Sequence, residues 1–89
     1  MTDGASFYTR QIRGIPLWLL QEYLLELGGS LKEEGIVQGE GWLAKIYPMQ
    51  AFQIGSLSVG QVLLEIEASP LVLETIQPEL EKKFLRAGG

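Results

Sequence analysis

The feature that most constrains the fold is an apolar segment, residues 15–29, that carries both a start and a stop signal for a helix. Pro16 has a preset φ and lacks the N–H group that would be unpaired in a first helical turn. Gly28 and Gly29 permit the left-handed conformation that closes many helices. The polar side chains between these signals are Gln21, Glu22 and Glu26. The segment therefore predicts a helix of about three turns with more apolar surface than one buried face uses.

A helical wheel divides the apolar side chains of this segment into two surfaces. Trp18 and Leu25 lie on nearly the opposite side from the main set, flanked by Gln21 and Glu22. Aromatic side chains are enriched at the centres of interfaces, so these four residues form a candidate interface. The alternative is that a loop or a terminus covers Trp18 and Leu25. The main set, predicted to face the core, comprises Leu17, Leu20, Tyr23, Leu24 and Leu27.

Aromatic and β-branched residues predict four strands. We expect Pro48 to break the third strand, which leaves residues 52–59 as an extended loop or the start of a long bent strand. Residues 30–34 are polar and predict a solvated connection. Gly39 and Gly41 suit a tight hairpin turn. The predicted strands cover residues 6–13, 35–39, 41–47 and 61–67.

A second helix follows the last predicted strand. Ser69 is its expected N-cap, and Pro70 is its first residue. Pro78 lies inside the apolar pattern and predicts a kink or a split into two short helices. The recurring apolar positions are Leu73, Ile76, Leu80, Phe84 and Ala87.

Together these elements predict an α+β fold. We expect a two-layer sandwich in the order β-α-β-β-β-α, with a mostly antiparallel four-stranded sheet and two helices on one face. Residues 1–5 are predicted to be a flexible N-terminal tail, and residues 6–89 a single domain.

Composition excludes several function classes. The sequence contains no cysteine and no histidine, and these residues supply the commonest nucleophile, general base and transition-metal ligands. Seven basic against eleven acidic residues give a net charge of −4, which disfavours nucleic-acid binding. No uncharged apolar run is long enough to span a membrane, and the polar N-terminus does not resemble a signal peptide. We expect a soluble cytoplasmic protein that is not an enzyme and holds no cofactor or metal.

The apolar content of 46% is high for so short a chain. A small domain has much surface for its volume, so part of this apolar surface must lie outside the core. The composition therefore favours a binding or assembly module, and self-association as a homodimer is its simplest form.

Two resemblances rest on motifs in the first half of the chain. Residues 12–20 (IRGIPLWLL) and 39–42 (GEGW) resemble a small bacterial α+β family of unknown function, which implies no activity. Gly14, Ile15 and Pro16 resemble the turn of the ACT type of regulatory domain. In that type a strand, a glycine-containing turn and a helix form an amino-acid pocket at a dimer interface. This resemblance implies a small-molecule ligand at the turn.

A third resemblance concerns Gly88 and Gly89. Ubiquitin-like modifiers and sulfur carriers resemble this sequence in ending with two glycines, and the free carboxylate of that pair is adenylated. The same pair also suits a helix stop, as Gly28 and Gly29 do for the first helix. The chain is thus predicted to be a binding module, with a ligand-binding regulatory domain or a sulfur carrier as alternatives.

Overall fold

The computed structural model describes residues 6–86, which form a five-stranded sheet and two helices. The strand order is β1-β5-β4-β3-β2, and every neighbouring pair is antiparallel. The predicted α+β class is confirmed, with five strands where four were predicted. Neither helix in this part of the chain is long and apolar enough to cross a membrane. In chain order the elements are β1 (Ser6–Arg13), α1 (Leu17–Glu26), β2 (Ser30–Glu33), β3 (Ile36–Gly39), β4 (Trp42–Ile54), β5 (Leu57–Ala68) and α2 (Pro70–Arg86).

The core lies between the helices and one face of the sheet. Leu64 and Ile66 of β5 point to this face and are fully buried with Leu20 and Leu24 of α1 and Leu80 of α2. The predicted core face of α1 is confirmed: its other members, Leu17, Tyr23 and Leu27, pack partly buried around the same cluster. Apolar residues that alternate along the strands thus pack in one layer against apolar residues that recur every three or four positions along the helices.

The prediction of a loop at residues 30–34 is wrong for most of that segment. Residues 30–33 form β2, an edge strand paired with β3, and all four of its residues are exposed. Because β2 buries no residue, its sequence lacks the apolar alternation by which strands are recognised. Its Lys32 and Glu33 are charges of the kind that protect sheet edges from pairing with other chains.

The predicted break at Pro48 is also wrong. β4 continues to Ile54 and forms a long hairpin with β5, closed at Gly55, whose φ is +57°. The Ile46 N–H donates to the carbonyl oxygen of Gly35 on the outer edge, at 2.7 Å. Pro48 follows two residues later, so its nitrogen faces the same outer edge. Its missing N–H therefore removes no hydrogen bond between β4 and β5. The register shifts between Met49 and Phe52.

The helix ends follow the predicted signals closely. Ser69 Oγ accepts a hydrogen bond from the Val72 N–H at 3.3 Å, which confirms it as a cap of α2. Pro16 is the N-cap of α1 where it was predicted to be the first helical residue. Gly28, with φ of +100°, closes the same helix. α2 is one helix of 17 residues through Pro78, so the predicted split does not occur.

Candidate functional site

The predicted ligand turn connects β1 to α1 and borders a cavity. Gly14 adopts φ of +82°, and its N–H donates to the Gly60 carbonyl oxygen at 3.0 Å. Ile15 is buried in the core, which anchors the turn. The cavity has a volume of about 300 Å³. It is lined by Gly14, Ile15, Pro16, Leu17, Gly60, Gln61 and Val62.

The lining of this cavity, drawn from residues 14–62, is mostly apolar. Its one polar side chain, Gln61, is already engaged: its amide donates to the Gln50 carbonyl oxygen at 2.7 Å. Its Oε1 accepts from Arg13 Nε at 2.9 Å. Ligand sites usually add a few convergent polar groups to an apolar wall. The cavity therefore suits an apolar group better than an amino acid, and the predicted ligand remains a prediction.

The four residues of the candidate interface on α1 differ in exposure. Trp18 is 62% exposed, and Glu22 is exposed as well. Leu25 is half-buried and packs against the core. Gln21 is half-buried, and its Oε1 accepts a hydrogen bond from the Gly35 N–H, which fixes α1 to the β2–β3 turn. Gln21 thus has a structural role, whereas Trp18 is the apolar member of the set that is open to a partner.

A polar cluster that joins β1 to α2 was not predicted. Tyr8 donates its O–H to Glu81 Oε2 at 3.0 Å, and Arg10 Nη1 forms an ion pair with the same oxygen. The Arg10 guanidinium also lies 4.9 Å from the centroid of the Phe84 ring. The hydrogen bond from Arg10 lowers the pKa of Glu81, and burial raises the pKa of Tyr8. The cluster fastens the edge strand to the last helix.

Arg10 does not pair with the acidic residues of the neighbouring strand. Glu65 and Glu67 lie on β5, beside β1, but they stand opposite Thr9 and Phe7, on the other face of the sheet from Arg10. Arg10 is one residue further and points to the helix side, where Glu81 lies. The alternation of side chains in β1 was the available signal, and it was ambiguous because both faces of β1 carry aromatic and polar residues.

We expect Glu81→Gln to destabilise the protein in a pH-dependent manner. Because the folded-state pKa of Glu81 lies below its ordinary value of 4.5, its ionised form stabilises the fold above that value. The contribution is lost as the pH falls through the lower folded pKa. Both partners are partly exposed, so the loss at pH 7 should be about 0.5–1 kcal/mol. Urea unfolding at pH 7 and again below about pH 4 measures it.

Glu79→Gln is the matched control for this prediction. Glu79 lies in the same helix and contacts Lys82 at 3.6 Å on the surface, so its loss should change stability by a few tenths of a kcal/mol at most. An equal loss for both variants, or a Glu81→Gln loss that persists unchanged in acid, would contradict the assigned ion pair.

A second ion pair holds the end of α2 against α1. Lys83 Nζ contacts Glu26 Oε1 and lies 5.8 Å from the centroid of the Tyr23 ring. The hydrogen bond from Lys83 lowers the pKa of Glu26. The two ion pairs thus fix α2 to both the sheet and the first helix near its C-terminal end. Gly88, Gly89 and the predicted tail over residues 1–5 lie outside the described residues.

Within residues 6–86, no group of three or more acidic residues is placed to hold a metal ion. No curated protein sequence matches the chain. The model of one family, described as archaeal MoaD-like protein, matches residues 8–89. This match confirms the predicted resemblance to a small α+β family, but it does not confirm the bacterial source or the unknown function given with it. Because the match covers nearly the whole chain, the chain belongs to the archaeal MoaD-like protein family.

Proposed function

We propose that this protein is a non-enzymatic sulfur carrier, in which the carboxylate of Gly89 is the group that a partner enzyme activates. The observation that carries the proposal is the MoaD-like family match, which extends to Gly89 and so includes the diglycine. The diglycine Gly88–Gly89 is the feature that the chain shares with sulfur carriers. The proposal therefore assigns a specific reactive group to the binding module that the composition predicts.

The chemistry of a carrier fits the composition of the chain. With no histidine or cysteine, the protein has neither an imidazole base nor a thiolate nucleophile to offer. In the proposed cycle the partner enzyme joins the Gly89 carboxylate to the α-phosphate of ATP and releases pyrophosphate. Hydrosulfide then attacks the acyl-adenylate carbon, AMP leaves and a proton is released. The product is a C-terminal thiocarboxylate.

A helix held firmly against the rest of the fold precedes the proposed reactive group in the chain. The Arg10–Glu81 and Lys83–Glu26 ion pairs hold α2 against β1 and α1, and α2 extends to Arg86. Ubiquitin-like carriers begin with a hairpin and place the diglycine after a strand. Here β1 leads directly to α1, and a helix precedes residues 87–89. We therefore propose that the partner enzyme recognises a surface that includes the end of α2.

Intact-mass spectrometry tests the proposal. We expect the purified chain, incubated with an adenylating enzyme from the same organism, ATP and hydrosulfide, to gain the mass difference between sulfur and oxygen. Deletion of Gly89 should abolish the gain. Gly60→Ala is the control that should retain it, because an added Cβ there meets nothing within 4 Å.

Two results would overturn the carrier assignment. One is an unmodified wild-type chain in a reaction in which the same enzyme modifies another diglycine protein. The other is equal modification of the wild type and the Gly89 deletion, which would place the reactive group elsewhere. Circular dichroism of each variant establishes that it is folded before its mass is compared.

A further inference from the structure

The face of the sheet turned away from both helices, here called the open face, carries a continuous apolar stripe. Residues paired across antiparallel strands share a face, and Tyr47 pairs with Leu63, Phe52 with Val59, and Ile54 with Leu57. The stripe therefore runs from the body of the sheet to the tip of the β4–β5 hairpin. Its members are Tyr47, Met49, Phe52, Ile54, Leu57, Val59 and Leu63.

An apolar open face is unusual for an antiparallel sheet. When one face covers the core, the other normally alternates to polar residues that meet water. Here residues 46–64 contain no charged side chain. Leu57 is 66% exposed and Tyr47 43% exposed. Contiguous exposed apolar surface of this extent marks a protein interaction site.

The charges around the stripe favour a second copy of this chain as its partner. On β1, β4 and β5 the open face carries two cations, Arg13 and Lys45, and two anions, Glu65 and Glu67. Lys45 stands directly opposite Glu65. These three strands are therefore neutral on the open face, within a chain of net charge −4; Glu33 lies farther out on the same face, on the edge strand β2. Two copies meeting at this face avoid the repulsion that their remaining acidic surfaces would produce.

The size of the open face matches that of a stable dimer interface. β4 has 13 residues and the sheet has five strands. The five strands together contain 41 residues. With a rise of about 3.3 Å per residue and a spacing of about 4.8 Å between strands, the face covers on the order of 650 Å². A standard interface takes about 600–1,000 Å² from each partner.

The edges of the sheet are less suited to self-association than its face. Pro48 lies on the outer edge of β4, where it cannot donate a hydrogen bond, and the register shift after Met49 distorts that edge further. Lys32 and Glu33 lie on the exposed edge strand β2. Both devices hinder strand-to-strand pairing between chains. Two chains can still associate through the open face.

We propose that two copies of this chain pack their open faces together, so that two sheets form the centre of the dimer and the helices lie outside. Stacked sheets of this kind lie about 10 Å apart and interdigitate their side chains. Helix α1 packs on the other face of the sheet and is not required for this contact. The interface therefore differs from the Trp18 surface predicted from the sequence, and it is independent of the carrier chemistry.

Size-exclusion chromatography with light scattering tests this assignment at tens of micromolar protein. We expect the wild type to have twice the mass of the chain. Tyr47→Glu and Ile54→Glu, at the centre and near the tip of the stripe, should each halve the observed mass. Trp18→Glu is the matched control: it places the same charge on an exposed aromatic position outside the open face, and it should leave the dimer intact.

Several outcomes would overturn the proposal. They are a monomeric wild type, a dimer that both stripe variants retain, and a dimer that Trp18→Glu abolishes while the stripe variants retain it. Ile54 pairs only with Leu57 at the hairpin tip, so its variant keeps the test valid if Tyr47→Glu proves unfolded by circular dichroism.

Discussion

Gly39→Ala is expected to lower the free energy of unfolding by about 1–3 kcal/mol or more, because it forces a methyl group into a buried indole ring. An ideal Cβ on Gly39 would lie 2.0 Å from Cε2 and 2.3 Å from Nε1 of Trp42. Trp42 is itself buried in the core and pairs with Gly39 across β3 and β4. The ring cannot retreat without displacing its own neighbours in a close-packed interior. Urea unfolding monitored by tryptophan fluorescence measures the loss.

Two further variants separate this steric effect from a general cost of removing glycine. Gly60→Ala adds the same methyl group where nothing lies within 4 Å, so we expect it to be neutral or slightly stabilising. In a Trp42→Leu background the penalty of Gly39→Ala should shrink, since the two residues are in contact and their effects are not additive. Equal losses for Gly39→Ala and Gly60→Ala, or an undiminished penalty in the Trp42→Leu background, would contradict the assigned contact.

Gly39 also shows where sequence reasoning about the fold ends. The pair Gly39 and Gly41 predicts a hairpin, and Gly41, with φ of +83°, does supply the turn. Gly39 does not: it is a strand residue whose missing side chain makes room for Trp42. Local spacing identifies a glycine that a turn requires, but a glycine that a distant ring requires can be recognised only after the strands are in register.

The same distinction between local patterns and contacts of distant residues explains the other errors in predicting the fold. The core of α1 was predictable because the helical repeat is a property of neighbouring residues. The edge strand β2 was not predicted because it buries no residue. The continuation of β4 past Pro48 depends on where the pairing of β4 with β3 ends, which is at Lys45. The Arg10–Glu81 ion pair joins residues 71 positions apart, so no local pattern could indicate it.

The candidate site was predictable to a similar degree. The turn formed by Gly14, Ile15 and Pro16 does border a cavity, whose other wall is formed by residues 60–62 of β5. The exposure of Trp18 was predictable from the wheel, whereas the role of Gln21 was not, since its partner Gly35 belongs to another element. The apolar open face could not be predicted from the sequence, because it depends on the continuation of β4 past Pro48 and on the pairing of that part with β5.

Leu80→Ala should be strongly destabilising, with a loss of about 2–5 kcal/mol. Leu80 is 0% exposed and packs in the core beneath the helix. The total free energy of unfolding of a small domain is about 5 kcal/mol or slightly more. The loss expected for Leu80→Ala should lower Tm by roughly 8 °C or more. Leu85→Ala is the matched control, since the same substitution in the same helix changes a side chain that is 74% exposed.

The difference between the two leucine variants chiefly reports burial, because the same side chain is truncated in the same helix. We expect Leu85→Ala to remain within about 0.5 kcal/mol of the wild type. Calorimetry, with urea unfolding as a second measure, compares them; losses of similar size would mean that α2 is not held against the sheet through Leu80. The result also bears on the proposed carrier. If packing at Leu80 fixes the helix that precedes Gly89 in the chain, Leu80→Ala should weaken modification by the activating enzyme at temperatures where Leu85→Ala is still modified normally.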